Sequence, residues 1–79
     1  MTLTILTPTQ PLFEGDVKSI NLPGMSGRFE ILDHHAPIIS ALGKGIIAVT
    51  DTKGEKHKFS ILKGFIEVLN NSANILVRI

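Results

Sequence analysis

Residues Leu22 to Leu42 read LPGMSGRFEILDHHAPIISAL, and they hold most of the chain's conformational punctuation. Pro23, Gly24 and Gly27 fall within five residues, Phe29 to Leu32 alternates, His34 and His35 stand side by side, and Pro37 precedes an apolar run. Glycine and proline weaken a strand unless a particular turn or close approach requires them. So dense a set of special backbone positions and polar side chains predicts a surface shaped for contact, carried on short strands joined by turns. Within it, Pro23-Gly24 predicts a type II turn with Gly24 at positive φ. Gly27 to Leu32 then forms a strand.

The same alternation runs outward in both directions. Upstream, Leu3 and Ile5 alternate with threonines until Pro8 ends an opening strand. Pro11 to Asp16, with Phe13 and Gly15, predicts a bend or bulge before a strand from Val17 to Leu22. On that strand Lys18 shares the face of Ile20 and Leu22, which places it near an exposed end. Downstream, Pro37 to Leu42 and Gly45 to Thr50 predict two strands reversed through Gly43-Lys44-Gly45. Asp51-Thr52-Lys53-Gly54 predicts a hairpin loop with Gly54 in the left-handed region. From Lys56 to Ile61, His57, Phe59 and Ile61 share one face while Lys56, Lys58 and Ser60 share the other. Gly64 to Leu69, an Asn70-Asn71 turn, and Ala73 to Ile79 with Ile75, Val77 and Ile79 inward complete the chain. No window of eleven or more residues keeps a helical stripe. The fold class is all-β, a single domain over residues 1–79, with eight to ten short strands that bury their apolar faces as two packed sheets or a closed barrel.

Composition excludes several function classes. A domain of 79 residues buries only about 60 to 65% of its unfolded surface, so binding to a partner is a natural source of extra stability. There is no cysteine, hence no disulfide framework and no thiolate metal site. Eight basic residues against seven acidic ones, scattered along the chain, give no electrostatic footprint for nucleic acid. The start of the chain lacks the charged and apolar regions of a signal peptide, and no apolar run approaches the roughly 20 residues of a membrane span.

Three motifs invite chemistry. Asp33-His34-His35 offers a carboxylate and two imidazoles, a set that suits a divalent metal or acid–base work, and it echoes the Asp-His-His motif of a phosphoesterase superfamily. Adjacent residues on an extended chain point to opposite sides, however, so the two histidines do not readily share one ion. Gly24-Met25-Ser26-Gly27 lacks the following helix and Gly-Lys-Ser/Thr of a phosphate loop, and reads as a β-turn with a bulge. Gly43-Lys44-Gly45 on a tight turn suggests a lipoyl or biotinyl carrier, although the modified lysine of such domains is usually flanked by methionine, aspartate or alanine. Phe13, Phe29, Phe59 and Phe65 are expected in the core, and Arg28 and Lys63 as solvated charges.

Taken in order, Leu12-Phe13-Glu14-Gly15, Leu22-Pro23-Gly24, Gly27-Arg28-Phe29 with Ile31-Leu32, His35-Ala36-Pro37 with Ile38-Ile39 and Leu42, Gly45-Ile46-Ile47, and Gly64-Phe65-Ile66-Glu67-Val68 resemble the amino-terminal domain of the F-type ATP synthase epsilon subunit. The resemblance spans essentially the whole chain. It implies a flattened antiparallel β-sandwich on the rotating central stalk, a non-catalytic subunit of a hetero-oligomer that needs no cofactor or metal. The implied partners are the gamma subunit and the c-ring, with the membrane reached only through the ring, at the cytoplasmic side of a bacterial inner membrane. By position, Met25, Ser26, Gly27 and Arg28, with Asp33, His34 and His35, would face the c-ring. Ile38, Ile39, Leu42, Phe65 and Leu69 would face gamma. Relatives commonly carry Pro-Gly where this chain has Asp33-His34, and many carry an acidic residue where Arg28 stands. Most also continue into a helical hairpin linked to inhibition of ATP hydrolysis and, in some members, to ATP binding. A product that stops at Ile79 is expected to act as a rotor connector without that inhibitory arm.

Overall fold

The computed structural model describes all of residues 1–79 and contains eight strands: β1 (Thr2–Leu6), β2 (Pro11–Gly24), β3 (Gly27–Leu32), β4 (Ile38–Leu42), β5 (Gly45–Asp51), β6 (Lys56–Ile61), β7 (Lys63–Leu69) and β8 (Ser72–Arg78). The all-β expectation and most strand positions hold. The long strand β2 organises the rest. At about 3.3 Å per residue its 14 residues would run roughly 46 Å if straight, whereas the molecule's longest dimension is 26 Å. It therefore has to turn from one layer into the other.

The turn occurs at Lys18. Val17 pairs with Asp51 and Ser19 with Thr50, leaving Lys18 as the extra residue of a β-bulge. The bulge shifts the alternation by one, so Val17, Ile20 and Leu22 are all buried and Lys18 is exposed. The expected sharing of a face by Lys18, Ile20 and Leu22 fails for this reason, and the predicted break between Pro11 and Val17 is replaced by one continuous, bent strand. The first half of β2 pairs with β1, and its second half is flanked by β3 and β5. One layer is thus β2 (first half), β1, β8, β7 and β4, and the other is β3, β2 (second half), β5 and β6. Hydrogen bonds run continuously through both layers by way of β2. All pairings are antiparallel except β1 with β8, which is parallel.

Sixteen buried apolar residues fill the space between the layers, among them Leu3, Ile5, Ile20, Leu22, Ile31, Ile47, Ile66 and Ile75, each fully buried. Phe13, Phe29 and Phe59 pack against this core from its margin. Phe65 does not, since it lies on the outward side of β7, and Ile79 lies beyond β8 and is exposed.

Two turns differ from expectation. Pro23 and Gly24 are the last residues of β2 rather than a turn, and the reversal is made by Met25-Ser26 with Gly27 at φ 128°, a value that favours glycine. The segment Gly43-Lys44-Gly45 is no hairpin: β4 pairs with β7 and with the end of β2, β5 pairs with β2 and β6, and the chain changes layers here. The other two turns form as predicted, with Gly54 at φ 86° and Asn70 and Asn71 at φ 51° and 58°.

Candidate functional site

Strand β3 pairs only with β2, so its other edge is free. The Met25-Ser26 turn leads into one end of it and the Asp33–His35 loop leaves the other, separated by the strand's length of about 20 Å. The residues expected to face a ring are therefore not clustered. They are the two ends of one rim.

Each end is fixed by different bonds. At the turn, Met25 N donates to Ala41 O and Gly43 N to Pro23 O at 2.8 Å, docking the hairpin on β4. Arg28 is no free charge: its Nε donates to Asn21 Oδ1 at 2.6 Å and its Nη2 to Ile46 O at 2.7 Å, tying β3 across β2 to β5. At the far end, the Asp33 carboxylate is paired with the amino-terminal ammonium of Met1, which also donates to Val17 O. That ammonium, as hydrogen-bond donor first and as charge second, holds the Asp33 carboxyl below its ordinary value. His34, at φ 63°, donates its backbone N–H to Asn71 Oδ1 at 2.7 Å, and His35 Nδ1 lies 2.7 Å from Ala36 O. Asp33, His34 and His35 each have a separate partner and do not converge on one point.

The outward face of the β1, β8, β7 and β4 layer has its own pattern. Leu6 pairs with Leu76, Leu76 with Phe65, and Phe65 with Ala41, so four strands carry one apolar row across the face. Leu6, Phe65, Leu76, Ala41 and Met25 line an open groove of about 550 Å3, with Lys63 and Arg78 at its margin. Further along the same face stand Ile39, 73% exposed, and Leu69, 53% exposed. Of the residues expected to meet gamma, Ile39, Phe65 and Leu69 thus share this face. Leu42 does not, being 2% exposed in the core, and Ile38 packs inward against that core. The outer face of the other layer carries Asn21 and Glu30 on the β2 and β3 side and Lys56, Lys58 and Ser60 on β6, with Leu32 and Ile46 exposed singly among them.

Comparison with known proteins gives the family. The model of the ATP synthase delta/epsilon chain β-sandwich domain matches residues 1–79. This chain belongs to that family. Its relatives include the ATP synthase epsilon chain of Protochlamydia amoebophila, 45% identical over 74 residues, which cover 94% of this chain and 50% of the relative. The epsilon chain of Chlorobaculum tepidum is 37% identical over 75 residues, covering 95% of this chain and 85% of the relative. Among solved structures, a chain of the Euglena gracilis mitochondrial ATP synthase superposes with a TM-score of 0.88 at 25% identity, over 95% of this chain and 48% of that one. A chain of the Tetrahymena thermophila mitochondrial ATP synthase shares the fold, with a TM-score of 0.81 at 19% identity. The chain spans about half the length of the Protochlamydia relative and 58 to 59% of the Leptospira ones.

For a delta/epsilon-type domain, three features of the surface lay outside what the sequence reading reached. The row from Leu6 to Ala41 joins residues far apart in the chain, and only strand order and register bring them together. The Arg28 clasp likewise needs the pairing of β2 with both neighbours. A third, the Asp51, Glu55 and His57 side chains at the β5–β6 hairpin, could have been suspected from their spacing around the predicted loop. The carrier-domain reading loses its premise, because Lys44 sits on a layer crossing instead of a hairpin tip.

Proposed function

We propose that this domain is a non-catalytic rotor element of an F-type, proton-translocating ATP synthase, seated between the gamma subunit and the c-ring, and that it passes torque between them while ATP is made elsewhere. The observation that carries the reading, in a domain of this family, is the apolar row Leu6-Leu76-Phe65-Ala41 across four strands of one outer face, with Ile39 at the end of the polar row Thr4-Asn74-Glu67 and Leu69 beyond it, whereas the exposed apolar residues of the opposite face, Leu32 and Ile46, stand apart. An apolar face of this kind is costly to leave in water and marks a protein contact.

The apolar face is assigned to gamma, through Ile39, Phe65 and Leu69 together with Leu6 and Leu76. The rim from Met25 to Arg28, along the free edge of β3, to Asp33, His34 and His35 is assigned to the polar loops of the ring. Within that rim Arg28 is held by Asn21 and Ile46, and Met25 stands where the rim meets the groove of the gamma-facing side. The complex is membrane-associated. In a bacterial source the domain lies on the cytoplasmic side of the inner membrane, and the ring alone links it to the bilayer.

Co-expression with the gamma subunit of the same synthase tests this reading. The two chains are expected to co-elute in size-exclusion chromatography as a 1:1 complex, and separate elution under the same conditions contradicts the assignment.

A further inference from the structure

We propose that the β5–β6 hairpin carries a binding site for a first-row divalent transition ion, represented by Zn2+, formed by Asp51, Glu55 and His57. One donor atom from each of the three residues lies within 4.8 Å of the others. Donors sharing one ion through bonds of about 2.0 to 2.1 Å stand roughly 3 to 4 Å apart, so the set is within a small adjustment of closing. The closest pair, His57 Nε2 and Asp51 Oδ2, is 2.9 Å apart, a hydrogen-bond separation that has to open by a few tenths of an ångström to admit the ion.

Local structure fixes two of the ligands. Asp51 Oδ1 accepts the backbone N–H groups of Lys53 and Glu55, each at 2.9 Å, which orients the carboxylate and leaves Oδ2 facing the histidine. The His57 ring packs on Phe13, with ring centroids 5.1 Å apart and planes at 59°. Its side chain stays one-third exposed, so Nε2 is held in place and within reach of water. Glu55 is exposed at the hairpin and supplies the motion that closes the set. In the ion-bound form a neutral imidazole carries its proton on Nδ1 and offers the Nε2 lone pair. The ion then occupies the place of the proton shared with Asp51. Waters complete the coordination on the open side. One imidazole with two carboxylates suits zinc, cobalt or nickel better than magnesium or calcium, which favour all-oxygen sites. The bound ion would brace β5 against β6 at their tip.

Titration of the protein with zinc chloride, followed by calorimetry and by the imidazole NMR signals of all three histidines, tests this. The expected result is one saturable site, with the His57 signals moving and those of His34 and His35 unchanged. His57→Ala abolishes the binding, and Glu55→Gln, an exposed change that leaves the zinc-free melting temperature unaltered, weakens it by about tenfold. The proposal is overturned by the absence of heat and of a His57 shift at about 1 mM zinc, by binding that survives both substitutions, or by shifts confined to His34 and His35.

Discussion

A valine at position 24 has no room for its side chain. A Cβ built on Gly24 would lie 2.6 Å from Gly27 O and 2.8 Å from the Phe29 ring, and the first of these is backbone that cannot swing away. Gly24→Val is therefore expected to lower stability by about 2 kcal/mol or more, through forced displacement of β3, read as a shift of the urea midpoint. The sequence pointed to this position for another reason, a positive φ that in fact belongs to Gly27. Asp51 gives a prediction in pH. The His57 hydrogen bond, followed by the Glu55 and Lys53 amides, outweighs partial desolvation and holds its carboxyl below the ordinary value of 3.8. A group whose native pKa is lowered stabilises the fold fully above its unfolded value, and that contribution drains away as pH falls through the native one. Asp51→Asn is thus expected to lower the melting temperature at neutral pH and to flatten its decline on acidification, measured by thermal melts over about pH 3 to 7. An unchanged acid limb would show that the carboxylate contributes nothing.

At the scale of elements, what could be read depended on how local the cause was. The hairpin at Asn70-Asn71 was legible because asparagine tolerates the left-handed region better than other non-glycine residues and because strong alternation flanks the pair. Asn70→Val is expected to cost about 1 to 2 kcal/mol and Asn70→Gly close to nothing, and equal melting temperatures for the two would refute the turn. The bulge at Lys18 was hidden because one extra residue changes the face of everything after it and leaves no mark in composition. The crossing at Gly43 to Gly45 resembled a hairpin because two glycines and a lysine suit a reversal. Only the pairing of β4 with β7 reveals two layers. Of the candidate site, the rim residues could be named but not their spread over the length of β3, and three of the five supposed gamma contacts were found on an open face because alternation on β7 and β4 is local information.

For the molecule as a whole, the accessible surface of 4815 Å2 is close to the roughly 4,700 Å2 expected of a free-standing globule of 8.6 kDa. The domain thus closes around its own core of sixteen buried apolar residues. The proposed rotor role predicts binding to gamma through the face of Phe65 and Ile39, with the Lys56 and Lys58 face left free. The direct measurement is the affinity for gamma of Ile39→Asp with Phe65→Asp, set beside Lys56→Glu with Lys58→Glu, after melts show both double variants folded. The account predicts at least about a tenfold loss for the first pair and no change for the second. Full affinity in the first pair, or the loss appearing in the second, would contradict it.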